Sequence, residues 1–417
     1  MVSGTGLGVW VAGRIFGAEP LEQLGFGLLA LVIIALVVLR MGNHDLEAIR
    51  ALSPERVRAG SEVRAHIRVI NSGRGATPLL LLEDTLPAEL SGRARFAING
   101  IEARGSRDAE FELKPSRRGR YSVGPLHITF SDPFGLARIR TSGAPRSAFL
   151  AYPRSEKLSL PRDTGHRKSL TASARRQPTG QRGEEFYTLR DYVEGDDLRR
   201  IHWPSTAKRA RYMVRQEETP WHAKATILVD DRPDGYVGSA FDRAVEAATS
   251  VADLYHRSGY AFRLLGATTP GVPSGRGSEH WHLCLDVLAV VETIRARVGD
   301  PMLTRLAELE ASPNLEGTLV VVSGTLDAAP VQGMIRCARR YKNVISISLP
   351  AHRFSFAAQA RPEAAAEQGE LSTILERGGV RSIVLGPGDP LAGAWSGLAR
   401  RSAEGGEAPW EPKRALA

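Results

Sequence analysis

The chain has 417 residues, 42% hydrophobic and 24% charged, which is enough for two folded domains and an anchor. Its two cysteines, Cys284 and Cys337, have no metal-binding spacing and form no redox pair, so cysteine-held zinc and dithiol chemistry are excluded. The net charge of +9 raises nucleic acid and anionic membrane as partners, but only seven of the 55 basic residues are lysine. Such an arginine bias follows genome base composition more simply than a binding surface. A disulfide is not expected, and the soluble part is expected in a reducing compartment.

Residues 1–44 read as a membrane anchor. The stretch LEQLGFGLLALVIIALVVL (21–39) is uncharged from Gln23 to Leu39 and closes at Arg40. A helix over about 21–40 matches a hydrocarbon core of roughly 30 Å. No small-x-small cleavage site follows Leu39, which argues against a signal peptide. Residues 7–17 are short and interrupted by Arg14, leaving open a partial second span or a loose tail. Arg40, Arg50, Arg56 and Arg58 follow the span, whereas Glu19 and Glu22 precede it. The positive-inside rule then places the C-terminal part in the cytoplasm.

Residues 45–160 predict an all-β sandwich, with a period of two setting in from about residue 53. EVRAHIRVIN puts Val63, Ala65, Ile67 and Val69 on one face and Arg64, His66 and Arg68 on the other. PLLLLED, RARFAI, DAEFEL, RYSVGPLHITF, LARIR and SAFLAY continue the pattern, separated by turns such as Asn99-Gly100 and Asp132-Pro133. His66 and His127 read as outward strand residues. Residues 161–182 have no periodicity and read as a basic linker, solvated or resting on anionic lipid headgroups.

Residues 183–218 crowd charges among aromatics, from Gly183 to Glu218. Glu194-Gly195-Asp196 predicts a turn, and Asp196 or Asp197 a cap on a helical turn through Trp203. Ile201 and Trp203 are expected to pack inward. A strand through Tyr212, Val214 and Gln216 is expected to run toward the next sheet.

Residues 219–400 predict an α/β Rossmann-like domain in which short apolar strands alternate with helices. Strands are expected at 225–231, 260–266, 317–324, 343–349 and 380–386. Helices are expected at 239–259, 282–296, 301–311 and 330–341, with one more near Glu370–Gly378. Ligands gather at the carboxyl ends of such strands, here Asp230-Asp231, Gly266-Ala267 and Ser323-Gly324. The Gly-rich run 268–279 lacks the Gly-Lys-Ser/Thr of a P-loop and reads as a loop. Residues 401–417 read as a disordered tail.

Three segments carry a resemblance: residues 117–140, AYPR (151–154) and RGEEFYTLRDYVEGDDLRRIHWPSTAKR (182–209). The last holds Arg190, Tyr192, Gly195, Asp196, Asp197, Arg199, Arg200, Ile201, His202 and Trp203. Together they resemble the bacterial "domain of unknown function 58" membrane proteins. In those proteins an anchor precedes a β-rich domain, a signature segment and a von Willebrand factor A-like domain. The resemblance implies an interaction module and, as cytoplasmic partner, a MoxR-type AAA ATPase.

An A-type domain holds Mg²⁺ through Asp-x-Ser-x-Ser, because that hard cation needs oxygen ligands in near-octahedral array. Here Asp230 takes the first place, but Arg232 and Asp234 take those of the two serines, leaving Asp230, Asp231 and Asp234 as a degenerate set. No metal, no Mg²⁺ and no other cofactor is expected. Asp196, Asp197, His202 and Ser205 are residue types of a hydrolytic triad, but Ser205 follows Pro204 without a nucleophile elbow. Four acidic residues among the aromatics oppose phosphate, so nucleic acid is not expected as a partner. The signature segment reads as a clasp between domains or a docking patch. The sequence points to a membrane-anchored, non-enzymatic scaffold, the alternative being a metal-assisted hydrolase centred on Asp230, Asp231 and Asp234. Nothing in it bears on oligomeric state.

Overall fold

The computed structural model describes residues 2–41, 45–92, 94–131, 138–160, 187–191, 201, 203–209, 211–217, 224–296, 299–312, 317–355 and 362–404. The chain divides into two compact units, Met1–Arg154 with Leu285–Val291, and Ser155–Cys284 with Glu292–Ala417. The linker 161–182, the turn at Asp132-Pro133 and residues 405–417 lie outside the described residues.

The first unit opens with two helices, α1 (Val2–Phe16) and α2 (Glu19–Met41). They form an antiparallel hairpin, turning at Gly17, whose φ of 66° favours glycine. A side chain on Gly25 would collide with the Trp10 backbone, so glycine permits the close approach of the two helices. The stretch left open at 7–17 is thus part of a helix packed on the apolar one. α2 is long and apolar enough to cross a membrane. It leaves Phe26, Ile33 and Ile34 exposed, unlike the core helix of a soluble domain.

Strands follow in chain order: β1 (Leu46–Ser53), β2 (Arg56–Arg58), β3 (Val63–Asn71), β4 (Leu80–Asp84), β5 (Leu90–Ser91) and β6 (Arg95–Ile98). Then come β7 (Ser106–Pro115), β8 (Gly119–Val123), β9 (Leu126–Ser131), β10 (Arg138–Ser142) and β11 (Ser147–Tyr152). They form sheets ordered β1-β3-β7-β5, β10-β9-β4-β6 and β2-β11-β8. One apolar core joins them, with Val63, Ala65, Ile67 and Val69 inward as the period of two predicts.

The strand pattern begins at Leu46 rather than near residue 53. β1 hides in the sequence because its polarity is inverted: Ile49 is 51% exposed, while Arg50 is buried. Arg50 Nη1 lies 2.7 Å from each oxygen of Asp84, and both side chains are fully buried. Its other donors reach Ser147 Oγ and the Pro145 carbonyl. Burial pushes the Asp84 carboxyl up, against the Arg50 contact. A residue counted as a membrane-flanking charge is thus a core ion pair.

The second unit begins with a strap. Glu156 accepts hydrogen bonds from Arg243 Nη2 at 2.6 Å and Ala392 N at 2.9 Å, and the Ser159 carbonyl accepts one from Trp395 Nε1. Next come β12 (Tyr187–Asp191), α3 (Trp203–Arg209) and β13 (Met213–Glu217). The strand expected to run toward the large sheet instead pairs antiparallel with β12, Arg190 opposite Val214.

The α/β elements are β14 (Lys224–Val229), α4 (Ala240–Arg257), β15 (Ala261–Gly266), β16 (Val272–Gly275), α5 (Gly277–Val290) and α6 (Pro301–Ala311). β17 (Thr318–Ser323), α7 (Ala328–Ala338), β18 (Asn343–Ser348), α8 (Ala351–Phe354), α9 (Pro362–Arg377), β19 (Val380–Val384) and α10 (Leu391–Glu404) complete them. The sheet order is β16-β15-β14-β17-β18-β19, parallel except for β16. Four expectations shift. The Gly-rich loop contains the antiparallel edge β16. The helix expected at 282–296 ends at Val290. The tail from Arg401 continues as helix to Glu404. The helix near 370–378 begins at Pro362.

Leu228 of β14, Leu319 and Val321 of β17 and Val344 of β18 share a core with α6, α7 and α9. Cys284 and Cys337 are free thiols buried in α5 and α7.

Candidate functional site

In a doubly wound sheet the crevice lies where successive connections leave a strand in opposite directions. Here β14 lies between β15 and β17, so that point is its carboxyl end, at Asp230 and Asp231. Both are buried, at 1% and 0% exposure. Strand alternation divides them. Val229 pairs with Val322, so Asp230 shares a sheet face with Ser323, on the side covered by α6 and α7.

A buried carboxylate needs a cation or a set of donors. Asp230 has Arg232, whose Nε lies 2.8 Å from Oδ1 and Nη2 2.8 Å from Oδ2, a two-pronged pair. Arg232 Nη1 turns to Asp300 Oδ2 at 2.9 Å. Asp300 Oδ1 caps α6, accepting from Met302 N at 2.9 Å and Leu303 N at 3.3 Å. Hydrogen bonding to Asp230 pushes the Arg232 pKa up against burial, with Asp300 and Asp327 adding to the rise. Asp327, at the head of α7, has its carboxyl pushed up by burial, opposed by Arg232.

Asp231 faces the other way and accepts from Thr268 N at 2.6 Å and Thr269 N at 3.0 Å. Asp234 is 79% exposed and pairs with equally exposed Arg295 at 3.3 Å. The three carboxylates that sequence grouped as a degenerate cation set therefore do not converge. Among the described residues no group of three His, Cys, Asp or Glu side chains could hold a metal ion.

Loops seal what remains of the crevice. The Tyr236 hydroxyl donates to the Asp230 carbonyl at 2.7 Å, and burial pushes that hydroxyl's pKa well up. Thr325 N and Oγ1 both donate to the Gly235 carbonyl, at 2.8 and 3.2 Å, and a side chain on Gly324 would strike that carbonyl. Ser323 Oγ is buried at the strand end without a hydrogen-bond partner among the described residues. Arg232 closes the site; sequence placed it at the first serine position, but a substituted serine position says nothing about its reach to Asp300.

In the signature segment, Tyr192, Gly195, Asp196, Asp197, Arg199, Arg200 and His202 lie outside the described residues. So do the turn and most of the helical turn expected there, while Ser205 lies in α3. Arg190 lies in β12. Ile201 is buried, at 7% exposure, but Trp203 is 63% exposed and does not pack inward. Ile201 sits in an extended bridge and Trp203 heads α3, so the alternation that would put both on one face is broken. Tyr212, beyond the helix, is 58% exposed. Thr206 Oγ1 of α3 accepts from Met213 N at 3.0 Å, tying α3 to β13.

Residues 188–353, from β12 to α8, match the family described as "Protein of unknown function DUF58". This segment is similar to the DUF58 family. It contains Arg190 and the whole Asp230–Arg232–Asp300 arrangement. The chain is 26% identical over 174 residues to an uncharacterized protein of Mycobacterium tuberculosis, covering 40% of this chain and 55% of that one. It thus spans about half the length of the mycobacterial relatives it matches. Uncharacterized protein YeaD of Bacillus subtilis is 21% identical over 295 residues, 68% of this chain and 71% of that protein. These similarities support the DUF58 family. Among solved structures, the CARDB domain of a Pyrococcus furiosus protein, solved in complex with di-metal ions, is 15% identical. It covers 24% of this chain and 94% of its own at a TM-score of 0.16, a likeness too slight to carry an argument.

Proposed function

We propose that this chain is a membrane-anchored, non-enzymatic scaffold that presents a von Willebrand A-like domain to a cytoplasmic protein partner. The observation that carries this is Arg232. It uses both oxygens of Asp230, and backbone N–H groups take those of Asp231, which among the described residues leaves neither carboxylate of the strand end free for general acid–base or metal chemistry. The sheet order, with one antiparallel edge beside β15, supports the A-like reading of the α/β elements. Exposed Trp203 and Tyr212 favour the docking role of the signature segment, since both residue types are enriched at interfaces. The partner class taken from the resemblance is a MoxR-type AAA ATPase.

The exposed apolar surface of α2 supports anchoring, with lipid as its solvent. Orientation rests on Arg40, Arg56 and Arg58 after the helix, against Glu19 and Glu22 in its first turn. The metal-assisted hydrolase needs Asp230, Asp231 and Asp234 to converge, and their present partners oppose it.

The test is turnover by the full chain in detergent micelles, with phosphoester, carboxylic ester and peptide substrates. No turnover above buffer is expected. Turnover that disappears in Asp230→Asn would refute the scaffold.

A further inference from the structure

An A-like domain implies a divalent cation at the end of its first strand, and the residues present do not fit one. The two serine positions hold Arg232 and Asp234, and Asp234 is 79% exposed, paired with Arg295. Both Asp230 oxygens are taken by Arg232, both Asp231 oxygens by backbone N–H groups, and the two Asp300 oxygens by Arg232 and the α6 amides. What remains is the Ser323 hydroxyl, buried and without a partner among the described residues, and the Asp327 carboxylate heading α7, which makes no capping hydrogen bond there. With the guanidinium already in place, one hydroxyl and one carboxylate do not make the near-octahedral oxygen array a hard cation requires.

We infer that the Arg232 guanidinium is a built-in substitute for that cation, making the strand end of this domain a metal-independent centre. The inference rests on the A-like reading above and deepens it. Three features point the same way. The positive group lies on the face where β14 and β17 end together, between Asp230 and the two acidic residues heading α6 and α7, Asp300 and Asp327. The guanidinium is covalently supplied, always charged and only 18% exposed, so no equilibrium with solvent empties the position. Its planar fork matches the carboxylate plane and satisfies two acceptors that a divalent ion would otherwise coordinate. The loop it belongs to is closed by Tyr236 on the Asp230 carbonyl and by Thr325 on Gly235. A divalent ion entering here would have to displace the guanidinium and leave it without its carboxylates. Partner docking by this end of the domain should therefore be indifferent to Mg²⁺ and to chelator.

The experiment uses the full chain in detergent, with Mn²⁺ as probe. Bound Mn²⁺ is read by electron paramagnetic resonance, and the unfolding midpoint is measured with millimolar Mn²⁺ and with EDTA. The natural chain is expected to bind no Mn²⁺ and to keep one midpoint in both conditions. Arg232→Ser restores the Asp-x-Ser spacing. It is expected to unfold at lower temperature, to bind Mn²⁺, and to regain stability with Mn²⁺, an effect lost in Arg232→Ser/Asp230→Asn. Mn²⁺ bound by the natural chain and lost in Asp230→Asn would overturn the inference. So would a folded Arg232→Ser that binds none. The natural-chain titration decides alone if Arg232→Ser does not fold. Substrate turnover reports on the scaffold separately: its appearance would refute the scaffold and leave the cation titration unchanged.

Discussion

Arg232→Ala removes the one cation paired with Asp230 while leaving the fold's backbone bonds in place. Asp230 is 1% exposed, so its carboxylate is left in a water-poor strand end. The residue-232 backbone N–H still donates to Asp230 Oδ1 at 3.2 Å, but Asp300 and Asp327 nearby are acidic, so repulsion adds to desolvation. Breaking a buried ion pair on one side costs about 3–5 kcal/mol. At about 2–4 °C per kcal/mol for a unit of this size, the midpoint should fall by about 6–20 °C. Asp300 is affected less, because its other oxygen still accepts from the α6 amides. Asp230→Ala combined with Arg232→Ala should recover much of the loss, since removing both partners leaves no uncompensated charge. Thermal unfolding of the full chain in detergent, followed by circular dichroism, gives both values. An unchanged midpoint in Arg232→Ala, or a double variant as unstable as the single one, would refute the paired-cation account.

Four further outcomes are expected. Burial would raise the Glu156 carboxyl, but hydrogen bonds from Arg243 and from the Ala392 and Leu391 amides outweigh it and hold the group below its usual range. Its stabilisation is therefore full above the unfolded value of about 4.3 and lost as pH falls through the lower native value. Glu156→Gln should lower the midpoint at neutral pH and converge with the natural chain in acid, and a constant difference down to acid pH would contradict this. Trp203→Ala should change stability by only about 0.5 kcal/mol, as for other exposed positions, and a large fall in denaturant midpoint would show the ring to be buried. Burial pushes the Cys284 thiol up to about 12 and the Cys337 thiol up to about 11, so native protein should resist thiol labelling. Ala307→Cys, on an exposed position of α6, should then label in intact cells only after permeabilisation, and labelling from outside would invert the topology.

Much of the architecture was legible because single sheets and amphipathic helices impose strong periods. α6 has its expected bounds, and β3 buries the four residues its alternation selects. β1 was missed because Arg50 points inward and Ile49 outward, a reversal that makes sense only once Asp84, 34 positions later, is its partner. β16 was missed because its proline and glycine carry turn signals, and its pairing with β15 supplies what propensity does not. Trp203 was misplaced because a change from extended to helical backbone resets which residues share a face.

At the site, the broken Asp-x-Ser-x-Ser spacing and the expectation of no metal were readable, and the partners of Arg232 were not. Sequence grouped Asp230, Asp231 and Asp234 by proximity along the chain. The strand end sends the first two to opposite faces and leaves the third on the surface. Asp300, 68 positions beyond Arg232, could not be associated with it before the helices were in place.

A crystal structure of the full chain grown with millimolar Mn²⁺, with anomalous data, tests the central claim most directly. The account predicts guanidinium density between Asp230 and Asp300 and no anomalous peak beside Asp230. A Mn²⁺ peak about 2.1–2.2 Å from an Asp230 oxygen, with Arg232 swung away, would contradict it.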